Sequence, residues 1–207
     1  MGHQKQNQTH KQFDFNKPNW QFRYNHGGTL RNKRRGRTAR PLSTRAPIHL
    51  VFKTDMKSLR RGLRSPLGFQ IVNQTILKYA RRFFIKVEQV SINHDHIHLL
   101  VRFPKRSHGQ AFLRTVAGQI AQQFQKNGFL IPSCVTDTRK EPNNKSANRP
   151  NKVWKYRPFT RVIQGWKPYQ VVRNYIHLNI KEANGVIQYK KDRLKGLSSS
   201  EWEILWT

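Results

Sequence analysis

The chain has 207 residues, one cysteine (Cys134), and 40 Lys+Arg against 10 Asp+Glu, a formal net charge of +30. That length suits one domain with a sizeable core plus tails. The lone cysteine excludes an internal disulfide framework, and no apolar run approaches the roughly 20 residues that a membrane helix needs. With no secretory leader pattern at the start, a soluble protein in a reducing, cytoplasmic setting with no membrane partner is expected. So large a positive surplus repels itself and is tolerated best when polyanions neutralise it. Nucleic acid is therefore the leading partner, ahead of a ribosomal surface or anionic lipid, and affinity should fall steeply with salt.

In chain order, residues 1–43 are rich in Gln, Asn, His, Gly and Arg and read as a disordered basic arm. Within it "RNKRRGRTAR" offers Arg34, Arg35 and Arg37 to backbone phosphate. The interleaved Phe13, Phe15, Trp20, Phe22 and Tyr24 either stack on bases or stay solvated. The folded domain is expected over residues 44–190. Its first strand is Ile48 to Lys53, in "APIHLVFKT". A helix follows in "PLGFQIVNQTILKYARRFF", with Phe69, Val72, Ile76, Leu77, Ala80 and Phe84 at helical spacing and Pro66 near its start. "KVEQVSIN" and "HIHLLVRF" are strand-like and meet at "NHD", which suits a tight turn or bulge.

The next helix carries Phe112, Val116, Ile120 and Phe124 on one stripe, with Gly128 as its stop. Residues 137–152 read as a flexible basic loop, and "VWKYRPFTRVIQ" as a fourth strand, edge-like because of Pro158. A third helix places Val171, Val172, Ile176, Asn179 and Ala183 at helical spacing, capped at Gly185. Lys152, Lys155, Arg157, Arg161 and Arg173 along this stretch are further candidate contacts for DNA phosphate. The tail, residues 191–207, has an apolar face that could dock on the body or on a second copy. The order βαββαβ plus one helix fits a ferredoxin-like α+β fold, an antiparallel sheet with its crossover helices on one face and the other face open.

The stretch "INHDHIHLLVRF" alternates His94, His96 and His98. Residues two apart on a strand share a face, so His96 and His98 can converge on one metal ion while Ile97, Leu99, Val101 and Phe103 point into the core. His94 joins them only if a bulge re-aims it. A zinc site that adds Cys134 lacks the spacing of such sites. Histidines on the wet face of a sheet also need no metal, so both readings stand at this point.

In "VVRNYIHLN", Tyr175 and Asn179 lie one helical turn apart. A tyrosine hydroxyl can attack phosphorus when a divalent cation polarises the phosphate, and the Asn179 amide oxygen could join the two imidazoles around Mg²⁺ or Mn²⁺. The plainer reading is a tyrosine at the edge of the core and an asparagine on the surface.

Taken together, "HDHIHLLV" resembles the His-hydrophobic-His motif of single-tyrosine HUH transposases, and "NYIHLN…ANGV" resembles the tyrosine helix of their REP-associated branch. "FLRTVAGQIAQQF" resembles that family's second helix, and the likeness runs in order over about residues 41–188. It implies that residues 44–190 are the catalytic domain, that His96, His98 and Asn179 bind Mg²⁺ or Mn²⁺, and that Tyr175 attacks single-stranded DNA at hairpin-flanked sites. The implied product is a 5′-phosphotyrosine with a free 3′-hydroxyl, later rejoined, in a monomer or a homodimer. "NIKEANG" departs from the family's Asn-Pro-x-x-Ala-Gly, and "INHDHIH" from its usual Pro-Asn-His. Two other functions fit less well: a non-catalytic nucleic-acid binding protein, or a phosphodiesterase using water with Glu88, Asp95 and Glu182.

Overall fold

The computed structural model describes residues 24–33, 39–131 and 152–206. Arg34, Arg35, Arg37, Cys134, the aromatics Phe13, Phe15, Trp20 and Phe22, and most of the 137–152 loop lie outside those residues.

The strands are β1 (Asn25–His26), β2 (Ile48–Lys53), β3 (Lys86–Ile92), β4 (His96–Arg102) and β5 (Phe159–Val162). The helices are α1 (Pro66–Arg82), α2 (Arg106–Lys126), α3 (Trp166–Ala183) and α4 (Ser199–Trp206). The sheet is antiparallel, in the order β1-β5-β2-β4-β3. Leaving out β1, this is the ferredoxin-like βαββαβ order expected from the sequence.

Period-two alternation sorts the strands onto two faces. Ile48, Leu50, Phe52, Ile97, Leu99 and Val101 are buried in one core with α1 and α2. From α2 come Phe112, Val116, Ile120 and Phe124, each 0% exposed, and burial of this kind stabilises by about 1.5–3 kcal/mol per large side chain. The α1 stripe differs from expectation: Val72, Ile76 and Ala80 are buried together with Ile71, whereas Phe69, Leu77 and Phe84 are exposed. Phe69 sits in the first turn under the Arg64 guanidinium, Leu77 is on the far side of the stripe, and Phe84 falls beyond the helix with φ 53°.

Two further features depart from the sequence reading, and a third decides between alternatives it left open. First, β5 is not an edge strand: part of the segment read as a disordered arm returns as β1, pairing Asn25 with Arg161 and His26 with Thr160. The approach needs glycine at 27, where φ is +83° and a Cβ would lie 2.2 Å from the Pro158 carbonyl oxygen. Pro158 is tolerated because it precedes the strand, and its carbonyl accepts from Arg40 Nη1 at 2.7 Å.

Second, the far face of the sheet is not open. α3 packs there against β3 and β4, burying Leu100 and Ile163 of the sheet region with Val172 and Ile176 of the helix. Val171 is exposed, one position off that stripe. Third, of the two placements expected for the tail, the body is the one found: it folds into α4, and Leu205 is buried with Leu178 and Ile187. No helix among the described residues is long and apolar enough to cross a membrane.

Candidate functional site

The face of the sheet away from the main core carries His49, Val51 and Lys53 from β2 beside His96 and His98 from β4. The register places His98 opposite Val51 and His96 opposite Lys53. α3 lies across this face on its Leu100–Ile163–Val172–Ile176 contact, with Tyr175 at the margin. The Tyr175 ring consequently stands edge-on to His98, centroids 5.4 Å apart at 81°, and His98 stands edge-on to His96 at 4.7 Å. Burial of the apolar side of α3 is what brings together residues far apart in the sequence.

Each histidine is oriented through its Nδ1. His96 Nδ1 is 2.5 Å from Asp95 Oδ1, and its Nε2 is 3.0 Å from the side-chain nitrogen of Asn93. A carboxylate can only accept, so Nδ1 carries the proton, and Nε2 presents a lone pair toward the Asn93 amide. Burial alone would raise the Asp95 pKa, but the His96 hydrogen bond and Lys53, 3.5 Å away, outweigh it and hold the carboxyl below its usual range.

His98 is 5% exposed; its Nδ1 is 3.0 Å from His49 Nε2, and its own Nε2 is buried with no hydrogen-bond partner. Burial, then the nearby His49, His96 and Arg193, pushes the His98 pKa well below its usual value. Burial and then Arg161 bring His49 down to about 4. Both rings are therefore neutral near pH 7. In the tautomer where His98 Nδ1 donates to His49, both His96 and His98 are anchored at Nδ1 with Nε2 lone pairs free or lightly held, the way proteins prepare imidazole for a cation.

Asn179, which the plainer reading placed on the surface, is 4% exposed. Its Nδ2 donates to the Tyr175 carbonyl at 2.6 Å, and its Oδ1 accepts from Arg193 Nη2 at 3.1 Å. Arg193, in a short 3-10 turn after α3, also pairs with Glu182 Oε1 at 2.7 Å and lies over the rings of Tyr175 (5.2 Å) and Tyr189 (5.0 Å). A cation taking the Asn179 oxygen would have to displace this guanidinium.

His94 lies elsewhere, against Gly62, where a Cβ would come 2.4 Å from its ring. Among the described residues no three His, Cys, Asp or Glu side chains gather as a metal cage. Any cation here would thus rest on the two imidazoles plus an amide or substrate oxygen.

Beside the tyrosine is a cleft of about 450 Å³ lined by Asn25, His49, Phe159, Arg161, Tyr175 and Arg193 among others. Of the expected phosphate contacts, Arg161 lines it. Arg173 instead lies over Trp206 at 4.6 Å, Lys155 over Tyr156 at 5.6 Å, and Lys152 and Arg157 are exposed on the approach to β5. His49 and Arg193 are site residues outside the sequence motifs. The alternation "IHLVFK" was enough to put His49 on the His98 face; no local pattern marks Arg193.

No protein-family model matches the sequence, and no curated protein matches it at a significant level. Among solved structures, a REP-associated tyrosine transposase bound to a REP hairpin aligns with TM-score 0.51 and 14% identity, over 74% of this chain and 77% of that one. A candidate transposase from Deinococcus radiodurans R1 aligns with TM-score 0.37 and 14% identity, over 68% of this chain and 93% of its own. The first of these likenesses shows that the α+β fold described above is shared with a tyrosine transposase.

Proposed function

We propose that this protein is a DNA transposase that cleaves and rejoins single-stranded DNA at hairpin-flanked sites, with Tyr175 as nucleophile. One observation carries the reading: Tyr175 stands 5.4 Å from His98, whose buried Nε2 has no partner of its own. A core histidine ordinarily satisfies both nitrogens. An orphaned one beside an accessible tyrosine and a basic cleft fits a ligand better than a structural residue. The shared fold and the net charge of +30 support a DNA substrate.

His96 and His98 would hold the cation through Nε2, and Asn179 could add its oxygen once Arg193 lets go. Mg²⁺ or Mn²⁺ bound there would polarise the scissile phosphate and offset charge on the departing oxygen. The chain's own groups do the rest. Arg161 binds backbone phosphate at the cleft, while α3 packing fixes the Tyr175 ring. The Tyr175 oxygen forms a bond to phosphorus as the P–O3′ bond breaks; the phenol proton passes to water at the cleft, and the 3′ oxygen takes a proton from water to leave as hydroxyl. The phosphodiester energy is kept in the 5′-phosphotyrosine, so a 3′-hydroxyl can reverse the step without ATP.

The full-length protein with Mn²⁺ and a hairpin-flanked single strand from beside its gene should form a covalent adduct stable to denaturing electrophoresis. Tyr175→Phe should lower adduct yield by at least about 10³-fold, as loss of a nucleophile does. Undiminished adduct in Tyr175→Phe would refute the assignment.

A further inference from the structure

At the other end of α3 from Asn179, the surface carries a feature that strand cleavage leaves unused. Trp166, the first residue of the helix, is 64% exposed, and its indole stacks on Tyr169 with centroids 5.4 Å apart at 24°. So large an apolar side chain, held flat with one face toward solvent, buries little and contributes little to the core. Tyr169 is itself fixed: its hydroxyl donates to Glu88 Oε2 at 3.0 Å, and Arg102 lies 6.0 Å from its ring centroid. Glu88 is also bound by Arg102 Nε, so its charge is matched. Arg102 Nη1 reaches the Arg45 carbonyl, and Arg45 itself is exposed. Arg45, Arg102, Trp166 and Tyr169 line a second cleft of about 410 Å³, together with Pro47 and Ile163.

We infer that this second cleft binds one unpaired nucleobase of the DNA strand, stacked on Trp166 and with its phosphate beside Arg45. An aromatic plate next to uncommitted arginine is the arrangement that holds single-stranded bases without reading their sequence. A charged peptide would need no flat apolar plate, and paired DNA keeps its base faces covered. Trp166 and Tyr175 sit nine residues apart on the same helix, about 13.5 Å along its axis at 1.5 Å per residue, a span of a few nucleotides at most. The base held here would therefore belong to a nucleotide close to the one cleaved. The inference rests on the proposed reading of single-stranded DNA as substrate, and places a site for that strand outside the catalytic groups.

The test is equilibrium binding by fluorescence anisotropy, in the full chain carrying Tyr175→Phe so that no cleavage intervenes. The probes are a labelled mixed-sequence single strand and the same strand with abasic residues throughout. Trp166→Ala should weaken binding of the base-bearing strand by about 5- to 100-fold and leave the abasic strand within about twofold, and Trp166→Phe should recover most of the loss. Unchanged affinity for the base-bearing strand overturns the inference. So does equal weakening toward both strands, which would mean that the indole acts through shape or charge. Because the readout is binding alone, failure here is separable from failure of Tyr175 to form an adduct.

Discussion

Arg193, which no sequence motif marks, ties Asn179, Glu182 and two tyrosine rings together beside the candidate nucleophile. It reaches Asn179 Oδ1 and Glu182 with its two terminal nitrogens and lies over two tyrosine rings. It takes φ 54°, a left-handed conformation costly for a side chain with a Cβ, which the surrounding contacts must offset. Its partner Glu182 has a side chain only 12% exposed, so removing the guanidinium leaves a carboxylate largely out of water. Arg193→Ala should therefore lower the unfolding free energy by about 1–3 kcal/mol in urea titration, and much less in a protein already carrying Glu182→Gln. An unchanged urea midpoint in the single variant would contradict this role. Arg193 could not have been found from sequence, because its contact with Asn179 depends on how the chain returns after α3. His49 could have been, since strand alternation alone puts it beside His98.

The elements divide in the same way. In α2 the four positions Phe112, Val116, Ile120 and Phe124 were legible because a long amphipathic helix repeats its signal over several turns, whereas Gly109 and Leu113, also buried, lie off that single stripe. α3 was placed correctly, but its inward stripe includes Leu178 and excludes Val171, since it packs between the sheet on one side and the tail on the other. The tail was the least legible, its helix being only eight residues long and held by tertiary contacts.

Those contacts are specific. Ser198 and Glu201 form a reciprocal cap at the start of α4, with Ser198 N donating to Glu201 Oε2 at 2.8 Å and Glu201 N to Ser198 Oγ at 3.3 Å. Lys190 pairs with the same carboxylate and, with the Ser198 backbone, holds its pKa down at about 2 against an ordinary 4.5. A carboxyl depressed in the folded state stabilises above its unfolded pKa and loses that contribution as pH falls through the folded one. Docking of α4 should thus weaken as pH drops from about 4.5 toward 2. Hydrogen exchange in residues 200–206, corrected for intrinsic rate, should accelerate in that window ahead of α1, and Glu201→Gln should remove the dependence. Loss of protection in α4 and α1 together would show that the cap has no separate role.

At the scale of the molecule, strand order followed from the sequence pattern, and coverage of the sheet did not. Period-two alternation states which residues share a face but not what lies on it. The sequence reading accordingly left the histidine face open to water, whereas α3 closes it. That closure has chemical consequences: it buries His98, keeps the ring neutral, and sets Tyr175 against it. Separately, β1 extends the sheet beside β5 and brings Asn25 to the rim of the cleft. The central claim is that this tyrosine becomes covalently joined to DNA, and peptide mapping tests it directly. After reaction with Mn²⁺ and a hairpin-flanked strand, nuclease trimming and trypsin digestion, mass spectrometry should find the nucleotide phosphate on the peptide Asn174–Lys181, which contains Tyr175 as its sole tyrosine. A nucleotide carried on any other peptide, or cleaved strands with free 5′-phosphate and no protein attached, would contradict the account.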